Sequence, residues 1–103
     1  MRLKPGVNIT GVRPEMLIGL MAAQKVYDDL GYDLVVTSCL DGKHSPKSLH
    51  YAGCAVDLRT RHMGAGDDSK RARDRIAEAL PNDFDVVLES NHIHLEFQPR
   101  RRP

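Results

Sequence analysis

Two segments of this 103-residue chain carry imidazoles and carboxylates at spacings that suit metal chemistry. The first is Ser48, His50, Gly53, Ala55 and Asp57, in the pattern S-x-H-x-x-G-x-A-x-D; the second is Glu89, Asn91, His92 and His94. Neutral imidazole nitrogens and a carboxylate oxygen are ligands that borderline cations such as zinc accept, and three of them leave a fourth position for water. His50, Asp57 and His94 are the set that can converge. The seven-residue separation of His50 and Asp57 fits neither a helical i, i+4 pair nor an i, i+2 pair on one strand. A ligand just before a strand and one within it still meet if the chain turns tightly at Gly53, where the missing Cβ permits close backbone approach. His44 and His62 have no partners at such spacing and read as surface residues.

The elements that must position these residues follow from periodicity. Pro14 suits a first helical turn, and Met16, Leu17, Leu20, Met21, Ala23, Gln24, Tyr27 and Leu30 recur at three and four before Gly31, predicting a helix over 14–30. Residues 1–13, with Pro5, Gly6 and Gly11, read as an extended leader. A β-branched run over 33–38 predicts a strand, and 39–50 a polar loop. Over 54–59 the alternation sets Cys54, Val56 and Leu58 on one face and Ala55, Asp57 and Arg59 on the other, so Asp57 faces a site. A second helix is expected over 69–80, stopped by Pro81 and showing its arginines to water. Residues 84–89 and 92–97 read as a hairpin with Ser90 and Asn91 at the turn, and with His92, His94 and Glu96 sharing one face. The sum is a single α+β domain over 1–103, an antiparallel sheet covered by helices, with a basic tail at 98–103.

Bulk properties exclude several classes. Fifteen basic against 14 acidic residues create no global field for nucleic acid or an anionic membrane. Lys70, Arg71, Arg73 and Arg75 and the arginines at 100–102 are the only hint of nucleic-acid binding or a nuclease. No Trp or basic-aromatic interleaving accompanies them, so no nucleic-acid partner is expected. Cys39 and Cys54 are expected to be reduced and buried. No long apolar run follows the basic start, so the expectation is cytoplasmic synthesis without signal peptide or membrane anchor.

The order S-x-H-x-x-G-x-A-x-D followed by H-x-H resembles the zinc peptidase family of D-alanyl-D-alanine carboxypeptidases and phage L-alanyl-D-glutamate endolysins, over residues 35–97. The resemblance implies that family's fold, zinc held by His50, Asp57 and His94, and His92 hydrogen-bonding the substrate or intermediate. It implies that Ser48 steadies its loop or touches substrate. The implied activity is hydrolysis of peptidoglycan stem peptides by a monomer, most like a compact phage lysis enzyme acting on the wall after release.

Two positions depart from the family. Its catalytic acid stands three residues before the last histidine, where this chain has Asn91, and an amide has no useful proton affinity near neutral pH. Either the chain is impaired there or a nearby carboxylate substitutes, Glu89 being a better candidate than Glu96. Many relatives also carry an arginine shortly after a Thr-Ser pair, where Cys39, Leu40 and Asp41 follow Thr37 and Ser38. Lys43, Lys47, Arg59 or Arg61 would then meet the substrate carboxylate. The alternative function is a catalytically silent zinc module that recognises cell-wall peptides.

Overall fold

A computed structural model of the chain describes residues 1–40 and 55–98. Helix α1, Pro14–Leu30, begins with proline at its first position, where the missing N–H goes unused. It ends at Gly31, whose φ of 87° is the left-handed conformation glycine adopts without strain. Gly31 N–H donates to Asp28 and Tyr32 N–H to Tyr27, the paired bonds that satisfy the last helical carbonyls. The buried stripe is Met16, Gly19, Leu20, Ala23, Val26 and Tyr27. Leu17 and Met21, part of the periodic set that predicts the helix, stand 48% and 73% exposed, because they fall one residue past that stripe.

Among the described residues five strands form one sheet in the order β1-β2-β3-β5-β4. They are β1 (Arg2–Leu3), β2 (Val35–Leu40), β3 (Ala55–Arg59), β4 (Phe84–Leu88) and β5 (His92–Phe97). The expectation of a purely antiparallel sheet is corrected at one edge. The presumed leader contributes β1, which pairs parallel to β2, so the sheet is mixed. Every other pairing is antiparallel. Helix α2 (Asp68–Ala79) follows a single 3₁₀ turn, Arg61–Met63, and both helices contribute to one core. The described residues thus make one α+β domain, and none of their helices is long and apolar enough to cross a membrane.

One irregularity matters for the site. Val36 pairs with Leu58, but Ser38, not Thr37, pairs with Asp57, so Thr37 is an extra residue in β2. This bulge lets the chain keep Val36 and Cys39 packed toward the core while two consecutive polar residues, Thr37 and Ser38, line the opposite side. Cys39 is half-buried against the core, and Cys54 lies outside the described residues. The arginines of α2 are not all turned to water: half-buried Arg73 donates through Nε to the carbonyl of Val86 at 3.1 Å. Among the described residues β4 lies at the edge of the sheet, and this guanidinium takes up the Val86 carbonyl there. His62 is exposed, as expected, with Nε2 2.8 Å from the carbonyl of Asp33.

Candidate metal and substrate site

β3 and β5 lie side by side with Asp57 directly opposite His94 and Arg59 opposite His92. Facing cross-strand residues share one side of a sheet, so the alternation of each strand delivers these four side chains to the same surface. On β5 the burial pattern is strict, with Ile93, Leu95 and Phe97 inward and His92, His94 and Glu96 outward. The hairpin between β4 and β5 is closed by Glu89 N–H donating to the carbonyl of His92 at 2.8 Å. Thr60 N–H, just past β3, donates to the carbonyl of Asn91 at 3.0 Å, which ties the turn to the end of the neighbouring strand.

The side chains form two linked groups. His94 Nδ1 stands 2.9 Å from Asp57 Oδ1, and its Nε2 stands 2.8 Å from Glu96 Oε1, so one ring bridges two carboxylates. Burial alone pushes the His94 imidazole down, but the hydrogen bonds to Glu96 and Asp57 and their charges outweigh it, and its pKa lies above the ordinary histidine value. The other carboxylate oxygen of Glu96 accepts from Gln98 Nε2. In the second group His92 Nδ1 lies 2.7 Å from Asn91 Oδ1, while Nε2 lies 3.2 Å from Glu89 Oε1 and 3.8 Å from Asp57 Oδ1.

A cleft of about 290 Å³ opens over this surface, lined by Asp57, Asn91 and His92 together with Thr37 and Ser38 from the bulge. Lys4, Arg59 and Arg61 supply its cationic wall. Lys4 was missed in the sequence, because a two-residue strand carries no periodicity. It reaches the cleft because its N–H donates to the carbonyl of Val36 at 2.9 Å, which extends β1 along β2. A larger groove of about 660 Å³ runs from His94 and Glu96 across β4 to Ala77 and Leu80.

The expected residues therefore divide three ways. Asp57, His94, His92, Asn91, Glu89 and Arg59 come together on one face. Glu96, read as the lesser candidate base, shares that face and is engaged by His94 and Gln98. His50, Ser48, Lys43 and Lys47 lie outside the described residues. Among the described residues no three histidine, cysteine, aspartate or glutamate side chains form a metal-holding group. Compared with protein-family models, with curated proteins and with solved structures, the chain matches none.

Proposed function

We propose that this chain is a zinc peptidase-like domain directed at peptidoglycan stem peptides, with the fold of the D-alanyl-D-alanine carboxypeptidases, and that His50, Asp57 and His94 hold the metal. The observation that carries the reading is the 2.9 Å approach of His94 Nδ1 to Asp57 Oδ1 across paired strands. A cation could take the place of the proton these two side chains share. A carboxylate and an imidazole are also a donor set that zinc accepts. When bound, zinc supplies Lewis-acid polarisation of the scissile carbonyl.

The chain's own residues do the rest. Lys4, Arg59 and Arg61 present positive charge to a substrate carboxylate, the two guanidinium groups offering a bidentate fork that lysine lacks. Ser48, Lys43 and Lys47 belong to the same reading as substrate contacts. His92 is oriented by Asn91, whose amide oxygen accepts its Nδ1–H. Glu89, 3.2 Å from the other ring nitrogen, is the carboxylate that would stand in for the missing acid if the chain turns over as it is. A second reading, a silent module that binds zinc and wall peptides without cutting them, is favoured by that same Asn91, an amide engaged as a hydrogen-bond acceptor where the family carries an acid.

Metal analysis and mass spectrometry of digested muropeptides test the proposal together. We expect one zinc per chain and a new amine within the peptide stem. Zinc binding without any new amine selects the silent module, and efficient cleavage of casein beside intact muropeptides refutes the substrate assignment.

A further inference from the structure

We propose that Glu96 is a positioning residue for the metal site, holding the His94 ring so that Nδ1 is presented beside Asp57. The inference rests on the zinc reading above and adds a residue to which that reading gave no such role.

The argument starts from strand geometry. Glu96 follows His94 by two residues, so both project from the same face of β5, one step apart. Glu96 Oε1 takes His94 Nε2 at 2.8 Å, while Asp57 lies 2.9 Å from the opposite ring nitrogen. An imidazole has two nitrogens, and a ring that gives one to a carboxylate as N–H has its tautomer and its rotation about χ2 fixed. The nitrogen left for a metal is then Nδ1, on the Asp57 side.

Glu96 is itself held. Its second oxygen accepts from Gln98 Nε2, and Gln98 N–H donates to the carbonyl of Asp83 at 2.6 Å. A line of contacts thus runs from Asp57 through His94 and Glu96 to Gln98, whose backbone is pinned beside the start of β4. The Glu96 side chain is 23% exposed, which matches the 24% of His94 and Asp57, so the carboxylate is shielded to the same degree as the pair it supports. Partners of this kind behind a ligating histidine typically matter by about 10- to 100-fold in metal affinity.

The experiment compares the full-length parent with Glu96→Gln and Glu96→Ala. Zinc affinity is measured by competition with a chromophoric chelator, the visible spectrum of the cobalt-loaded protein is recorded, and thermal unfolding of the metal-free chains serves as a folding control. We expect zinc affinity to fall by about 10- to 100-fold in both variants with one metal still bound, and the cobalt bands to shift. Melting of the metal-free Glu96→Gln chain should stay near that of the parent, which separates positioning from folding. If Glu96→Ala unfolds, the near-isosteric Glu96→Gln carries the test alone. Affinity within twofold of the parent and an unchanged cobalt spectrum would overturn the proposal while leaving the zinc reading intact. Complete loss of stoichiometric metal would make Glu96 a ligand and overturn the positioning role. A parent that binds no zinc at all overturns both.

Discussion

Along β5, Ile93 and Leu95 are completely buried, whereas their neighbours His92 and His94 keep 26% and 24% of their side-chain surface exposed. The inward side of β3 and β5 meets α1 and α2 in an apolar core, while the outward side carries Asp57, Arg59, His92, His94 and Glu96. One short strand therefore serves two purposes that barely interfere, because successive side chains leave it in opposite directions. Packing on one side fixes backbone register, and register on the other side fixes which polar groups meet. The apolar face sets the geometry and the polar face uses it.

The sharpest way to break that comparison is to truncate one residue on each face. Asp57→Ala should abolish stoichiometric zinc while leaving the metal-free chain within about 1 kcal/mol of the parent, since a partly exposed ion pair contributes little. Ile93→Ala should do the reverse, costing about 2–5 kcal/mol in urea unfolding through lost burial and cavity formation, with one zinc still bound by the folded fraction. Unchanged zinc in Asp57→Ala would mean that the outward face is not a metal site.

A smaller effect is expected at Asn91, where the family that the sequence resembles carries an acid. Asn91→Asp should raise turnover by about 10²-fold with metal content unchanged, because it restores a group that can accept a proton. The rival account makes Glu89 the working base beside His92. It predicts a parent that is already brisk, indifferent to Asn91→Asp and silenced by Glu89→Gln. Rates of the three proteins at matched zinc occupancy decide between them.

Acidity offers a gentler probe of the same face. The His94 pKa is raised in the folded chain, so the folded state holds its proton more tightly than the unfolded state does. In metal-free protein that contribution to stability is fully present below the unfolded value of about 6.5 and is lost as pH rises through the folded value. Zinc inverts the sign, since it competes with the same proton and binds better as pH rises. Urea titrations across this window should show declining stability without zinc, and the decline should be reduced in His94→Gln; a rise in the metal-free parent would contradict the arrangement. The smallest effect belongs to neither face: Lys25→Ala removes an exposed i, i+4 pair with Asp29 and should cost only about 0.3–0.5 kcal/mol in the same assay.

What was legible in the sequence follows the same division. Period-two alternation sufficed to set Asp57 on the outward face of β3 and His92 and His94 together on one face of β5, and the proline and glycine at the two ends of α1 bounded that helix. Two features depend on neighbours distant in the chain and left no local pattern. Lys4 enters the cleft only because a two-residue strand joins β2. Arg73 reads as a solvated helix charge until β4 turns out to be an edge strand with a carbonyl to offer. Glu96 stands two residues after His94 and Gln98 two after Glu96, a local pattern that hints at their link, but same-face spacing does not say which way an imidazole turns. The leading apolar residues of α1 misled for the opposite reason: a stripe at three and four admits Leu17 and Met21, and only the packed sheet decides which edge of the stripe is covered.

The bulge in β2 has a consequence best expressed as chain length. Either side of Thr37 the pairing with β3 is regular, with Val36 opposite Leu58 and Ser38 opposite Asp57. Deleting Thr37 would join those two stretches into one uninterrupted ladder and leave every remaining side chain on the face it now occupies. A one-residue deletion inside a strand ordinarily reverses everything beyond it. Here the count of residues, not their identity, is what the fold can surrender, and the loss would fall on the floor of the cleft, where Thr37 adds a hydroxyl and the bulge adds local twist.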